Sequence, residues 1–303
     1  MSIRDSVIMR RYSLIVFAVT VFVTVHAQES EEFAPVEYPS AYHVELNRVY
    51  TTVGAWEGKM DLYYPTYSTK SVPVVINIHG GAWSHGVKES QRGFGTFFKN
   101  GWAVVNMEYR MSGTAPAPAA IEDARCALIY INQHAKELHA DVNRIVIMGG
   151  SAGGHLALMA GFLGNDHRFD VNCSGVQDVK VAAVVDKYGV TDISLAKKLM
   201  KSASGRAWLS EKVNDQEFLN AISPINYVTK KSPPVFIVHG DADPTVPYQQ
   251  SVDLKKKLDD AGVKNVFITV ENGVHGKFSK EKNSEISDAM WEFFKGIGLG
   301  KVQ

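Results

Sequence analysis

The run Gly149-Gly150-Ser151-Ala152-Gly153 constrains this chain more than any other feature. It follows an apolar stretch over 144–148 that reads as a buried strand. It precedes a second apolar stretch, 155–160, that reads as a helix. A serine set between glycines where a strand turns into a helix has the G-x-S-x-G pattern of a nucleophile elbow. Such a turn is tight and holds its serine in a strained backbone conformation. Side chains at Gly149 and Gly153 would clash across it, so both positions must be nearly bare. The result is a hydroxyl at the tip of a strand, on a helix N-terminus whose dipole favours developing negative charge. A glycine-rich turn with an ordinary capping serine carries the same five letters, so the rest of the chain has to supply the partners a reactive serine needs.

The 303 residues carry 32 Lys+Arg against 32 Asp+Glu, and 45% are hydrophobic. That is enough apolar material for one large core. The balanced charge, with no basic stripe, argues against a nucleic-acid or anionic-membrane partner. The N-terminus differs in character. Arg4, Arg10 and Arg11 lead into an apolar run over 12–25, and Val25-His26-Ala27 offers the small residues a signal peptidase reads. This predicts a signal peptide over 1–27, cleaved after Ala27, and a secreted or periplasmic protein with no membrane anchor after cleavage. The apolar run is short for a bilayer span, and Gln28 rather than cysteine follows the cut. Export permits a disulfide between the two cysteines, Cys126 and Cys173, although a cysteine on an apolar helix, as Cys126 is, often only fills space.

Residues 28–41 are acidic and proline-punctuated, which predicts a flexible lead-in to a domain over 42–303. Strand patterns over 42–53 and 59–64 suggest an antiparallel pair. Apolar runs over 72–78, 102–109, 144–148, 179–188, 234–239 and 263–270 predict further strands. Between them lie helical patterns over 91–100, from Pro116 and Pro118 to about 139, and over 152–162, 248–261 and 281–296. This alternation predicts an α/β fold: a mostly parallel sheet with helices on both faces. The polar, helical stretch 193–231 interrupts it and reads as a small cap inserted above the sheet.

A serine hydroxyl needs a general base, and the base needs an orienting carboxylate. The segment Val238-His239-Gly240-Asp241-Ala242-Asp243-Pro244 leaves a strand at the carboxyl edge of the sheet, where open α/β sheets place their ligands. Asp243 is the better candidate for the acid, with Asp241 nearer the strand end as a turn former. His275, in a glycine-flanked loop after the last strand, is the candidate base. The order Ser151, Asp243, His275 puts each residue at a strand's carboxyl end. An oxyanion hole requires preorganised N–H groups. The buried strand ending His79-Gly80-Gly81-Ala82-Trp83 offers those of Gly81 and Ala82, and Ala152 supplies another. His79 reads as a residue that pins this loop by hydrogen bonds, and His155 as packed support. No metal or organic cofactor is called for.

On these motifs, together with Glu108-Tyr109-Arg110 and Asp141-Val142-Asn143-Arg144-Ile145, the chain resembles the α/β-hydrolase fold over about residues 45–297. More narrowly it resembles the bacterial feruloyl/acetyl-xylan esterases and the hormone-sensitive-lipase-like esterases. The resemblance implies a serine esterase working through an acyl-enzyme. Ala82 stands where many lipase-like relatives carry a third glycine, and the large N-terminal helical cap of hormone-sensitive-lipase-like enzymes is missing. Both departures favour hydrophilic substrates. Combined with export, they make acylated polysaccharide or oligosaccharide the expected partner, with a small ester as the alternative. Trp83 and Trp208 are then candidates to stack on a sugar or aromatic acyl group. Two rival readings are a general carboxylesterase and a prolyl-oligopeptidase-like exopeptidase; the latter's usual propeller would not fit this length. A catalytically dead binding module is disfavoured because all three triad candidates are present.

Overall fold

Strand β3 (Val72–Ile78) is apolar at six of its seven positions, and every residue in it is buried. A segment of that kind cannot sit at a solvated edge, and it lies in the interior of an eight-stranded sheet. A computed structural model describes residues 33–66 and 70–300. The expected signal peptide, 1–27, and the first part of the lead-in lie outside the described residues. Residues 35–41 form neither helix nor strand and are almost all exposed.

The chain opens with an antiparallel hairpin, β1 (Tyr42–Val53) and β2 (Trp56–Pro65), turning at Gly54 with φ 61°. After β3 come α1 (Gly95–Lys99), β4 (Ala103–Met107), α2 (Ala119–Gln133), β5 (Ala140–Gly150) and α3 (Ala152–Leu163). Strand β6 (Ala183–Lys187) leads into an insertion holding α4 (Lys197–Lys201), α5 (Ala203–Leu209) and α6 (Gln216–Ala221). Then follow β7 (Val235–Gly240), α7 (Gln249–Asp260), β8 (Asn265–Val270) and α8 (Lys280–Gly296). The strands lie in the order β1-β2-β4-β3-β5-β6-β7-β8, antiparallel for β1-β2-β4 and parallel from there on.

One apolar cluster joins one sheet face to α2, α3 and α7, through residues such as Leu128, Leu156 and Leu254. The other joins the opposite face to α1 and α8, through Phe97, Phe98, Phe293 and Phe294. Each side chain fully buried in this way contributes about 1.5–3 kcal/mol. The expected α/β architecture with helices on both faces is the one observed.

Some predicted boundaries move. The helix expected over 91–100 shortens to Gly95–Lys99, because Gly93 takes φ 90°, outside helical space. The helix opened by Pro118 ends at Gln133, where the chain turns so that Ala140 can pair beside Val72. The strand expected over 179–188 begins only at Ala183.

The space-filling reading of Cys126 is corrected: Cys126 is bonded to Cys173, 47 residues away. Beside this bond Arg125 holds Asp170 through two hydrogen bonds of 2.8 and 2.9 Å, both residues fully buried. The pair and the disulfide together tie the excursion between α3 and β6 to α2.

Candidate active site

Four interior strands, β3, β5, β6 and β7, and the edge strand β8 deliver the site at their carboxyl ends. At the end of β5, Ser151 has φ 57° and ψ −120°. A Cβ on Gly149 would lie 2.3 Å from the Gly153 carbonyl carbon, and one on Gly153 would lie 2.2 Å from the Ile78 oxygen. The elbow therefore closes only with both positions bare, as its pattern requires. The Ser151 N–H donates to the Lys187 carbonyl at 2.9 Å, which fastens the turn to the neighbouring strand.

The structure brings the three predicted side chains together. Ser151 Oγ stands 2.8 Å from His275 Nε2, and His275 Nδ1 stands 2.6 Å from Asp243 Oδ2. Because a carboxylate only accepts, Nδ1 carries the proton and Nε2 is free to accept from the serine hydroxyl. The Asp243 side chain is fully buried and satisfied on both oxygens. Its Oδ1 accepts from the N–H groups of Thr245 at 2.7 Å and Val246 at 3.0 Å. Its Oδ2 lies 3.2 Å from His239 Nε2 as well as against His275. Asp241 has the other role: it accepts the Asn272 N–H at 2.7 Å and fastens the loop after β8 to the loop after β7.

His239 is a member of this group that the sequence reading quoted without assigning. It is fully buried; its Nδ1 accepts from Ser251 Oγ at 2.7 Å, and its Nε2–H points at Val246 O and Asp243. Burial lowers its pKa, so it serves Asp243 as a neutral donor. The signal available in sequence was its position immediately before the Gly240-Asp241 pair of the acid loop, at the end of a strand with no solvent face. Tyr188 was also missed. Its ring packs edge-on against His275 with centroids 4.9 Å apart, and it lines the cavity over Ser151.

Opposite the triad, Gly81 takes φ 119°, followed by Ala82 at φ 50° and Trp83 at φ 54°. A Cβ on Gly81 would sit 1.8 Å from the His85 carbonyl oxygen. In this turn the N–H groups of Gly81 and Ala82 donate to no backbone carbonyl among the described residues, and neither does that of Ala152. Gly81 and Ala82 border a cavity of about 400 Å³ that Ser151 and His275 also line. The turn is pinned from behind. His79 Nδ1–H donates to the Gly80 carbonyl at 2.6 Å, and the Tyr109 hydroxyl donates to the carbonyls of His79 and Gly80 at 3.2 and 3.4 Å. The two rings stack with centroids 4.4 Å apart. Burial pushes the His79 imidazole down to about 4, so it stays neutral.

The placement of Trp83 and Trp208 corrects the expectation that they stack on substrate. Both are 1% exposed and lie face to face, with ring centroids 3.9 Å apart and planes 7° from parallel. No sugar ring can enter between them or reach either face. Trp83 Nε1–H donates to His155 Nδ1 at 3.2 Å, and His155 Nε2–H donates to the Ile222 carbonyl at 2.8 Å. His155 is fully buried, and burial holds its pKa down at about 4. The insertion is thus bolted to the oxyanion turn through a tryptophan pair and a neutral imidazole. A Ser84–Ser204 hydroxyl bond of 2.9 Å adds to this.

The described residues contain no group of His, Cys, Asp or Glu arranged to hold a metal ion. What the site can do is transfer a proton from a hydroxyl to an imidazole held by a buried carboxylate, beside N–H groups turned toward developing negative charge.

Comparison with known proteins points the same way. The BD-FAE family profile matches residues 60–258. Esterase LipQ of Mycobacterium tuberculosis is 32% identical over 241 residues, which cover 77% of this chain and 57% of that protein. The probable carboxylic ester hydrolase LipM of the same organism is 35% identical over 191 residues, covering 60% of this chain and 44% of LipM. The chain spans about half the length of these curated relatives. Among solved structures, a truncated carbohydrate esterase from gut microbiota is similar with a TM-score of 0.72 at 30% identity, over 85% of this chain and 98% of that one. The acetyl ester-xyloside bifunctional hydrolase of Caldicellulosiruptor lactoaceticus is similar with a TM-score of 0.69 at 26% identity, over 82% of this chain and 90% of that one.

Proposed function

The chain belongs to the BD-FAE family of α/β-hydrolase esterases, and from that premise we propose that it hydrolyses carboxylic esters through an acyl-enzyme on Ser151, removing acetyl or feruloyl groups from plant polysaccharides outside the cytoplasm. The observation that carries the reading is the relay Ser151–His275–Asp243, with steps of 2.8 and 2.6 Å, opening into a cavity.

The chemistry follows from the geometry. His275 Nε2 takes the proton of Ser151 Oγ as the oxygen attacks the ester carbonyl. Asp243 keeps the imidazole in the tautomer that can accept there, and its charge stabilises the imidazolium. The carbonyl oxygen, now negative, meets the N–H groups of Gly81, Ala82 and Ala152, each such donor contributing about 3 kcal/mol to the transition state. The alcohol leaves with the proton from His275. Water, deprotonated by the same imidazole, then attacks the acyl-serine and releases the acid.

Three things support the glycan substrate. One similar structure is a carbohydrate esterase and another an acetyl ester-xyloside hydrolase. The cavity is lined by Asn77, His85, Gln91 and Lys187, a polar wall unlike that of a lipid-binding tunnel. The N-terminal sequence has the pattern of an export signal.

The test is turnover of 4-nitrophenyl acetate, methyl ferulate, acetylated xylan and an aminoacyl-nitroanilide by wild type and by Ser151→Ala. Ester turnover that vanishes in Ser151→Ala is expected. Wild-type turnover in Ser151→Ala removes the mechanism, and cleavage of the anilide alone removes the esterase reading. Export is tested by sequencing the N-terminus of protein recovered outside the cytoplasm, where Gln28 is expected first.

A further inference from the structure

Lys187 is the last residue of β6, an interior strand, and it lines the cavity that holds Ser151 and His275. Its neighbour Asp186 points toward α3, with Oδ1 accepting the Gly189 N–H at 3.0 Å and lying 2.5 Å from where a Cβ on Gly154 would be. Side chains alternate along a strand, so Lys187 projects from the other face of the sheet. On that face its partner in β5 is Gly150, which has no side chain, and its partner in β7 is Val238. Asn77, opposite Met148 in the same layer, and Gln91 line the cavity beside it. Lys187 makes no ion pair or side-chain hydrogen bond with any described residue, and no acidic group acts on it electrostatically. Loss of water alone lowers its pKa. Every other partly or wholly buried cation near the sheet has its anion: Lys88 pairs with Asp61 and Glu89, Arg110 with Glu122 and Asp123, and Arg125 with Asp170. A cation half-removed from water with no counter-charge is costly to keep unless something fills the role.

We propose that Lys187 is a specificity residue that binds a carboxylate carried by the ester substrate. This rests on the esterase reading and names the charge of the substrate that site accepts. The carboxylate can belong to the acyl half, as in a half-ester of a dicarboxylic acid, or to the alcohol half, as in a uronic acid next to the acylated sugar. The shared chemistry is one carboxylate reaching an ammonium across the cavity from the attacking serine, which ties orientation of the carbonyl to charge recognition.

The test compares kcat/KM for matched anionic and neutral esters in wild type, Lys187→Met and Lys187→Arg. One pair is 4-nitrophenyl hydrogen succinate against 4-nitrophenyl acetate. The other is acetylated xylo-oligosaccharide with and without a glucuronic acid branch. Lys187→Met is expected to lower the anionic-to-neutral ratio about tenfold or more, chiefly through KM, with Lys187→Arg keeping most of it. The pair that responds identifies which half carries the charge. An unchanged ratio in Lys187→Met, an equal loss on both members of each pair, or a wild type that disfavours both anionic esters overturns the inference. Calorimetric binding of succinate and glucuronate separates it from the esterase reading. At least one of the two binds wild type and weakens about tenfold in Lys187→Met whether or not any ester is cleaved; binding of neither to wild type, or equal binding to both proteins, overturns it.

Discussion

The two sides of Ser151 are built by different means. On the triad side, the acid is held by hydrogen bonds to its side chain from residues close in sequence: Thr245, Val246 and His239 all fasten Asp243. On the oxyanion side, the working groups are backbone N–H, and what holds them is a left-handed turn wedged between buried aromatic rings. The supports there come from far apart, with Tyr109, His155, Trp208 and Ile222 converging on Gly80 and Trp83. The contrast is between fixing a side chain, which takes a few polar partners, and fixing a peptide plane, which takes a packed wall.

The largest effect should fall on the triad side. Ser151→Ala is expected to cost about 10⁵- to 10⁶-fold in ester kcat, measured on 4-nitrophenyl acetate. Asp243→Asn should follow with about 10⁴-fold, through loss of the His275 tautomer, while Asp241→Asn acts mainly on stability. If the two aspartate variants lose kcat equally, the division of labour between them is wrong. Gly81→Val breaks the other side by forcing a side chain against the His85 carbonyl. A loss of about 10²- to 10³-fold in kcat is expected. A loss as deep as that of Ser151→Ala would mean that the turn also holds the triad.

The smallest effect is on stability and comes from the buried imidazole under the insertion. His155 has its pKa lowered to about 4 by burial, against a usual value of 6.5. Between those values the unfolded chain binds a proton that the folded chain refuses. Its contribution is therefore complete above pH 6.5 and is lost as pH falls toward 4, by about 3 kcal/mol in all. Asp186, raised by burial to about 7, slopes the opposite way between 3.8 and 7 and partly masks this in wild type. The difference in denaturation midpoint between wild type and His155→Phe, followed from pH 7 to 4, isolates the histidine. A difference that does not change with pH would show that His155 is not held neutral.

The same contrast explains what could be read from the letters. The elbow, Asp243 and His275 were legible because a bare-glycine turn and a strand-end acid are local demands that local residues meet. The strands were legible wherever burial on both faces forced a continuous apolar run, as in β3. Trp83 and Trp208 were misread because nothing local distinguishes a ring offered to a ligand from a ring whose partner lies 125 residues away across the insertion. His239 passed unassigned for a related reason: its importance lies in which oxygen it faces. The Cys126–Cys173 bond depends on where a loop returns, which periodicity does not encode.

The stacked tryptophans also bear on how rate should depend on the physical state of the ester. An insertion riveted ring-to-ring and through His155 onto the turn beside Ser151, and supplying none of the described residues that line the cavity, is not built as a flap for an oil–water boundary to open. Turnover of a sparingly soluble ester should then rise hyperbolically with its dissolved concentration and level off at saturation, with no jump when droplets appear.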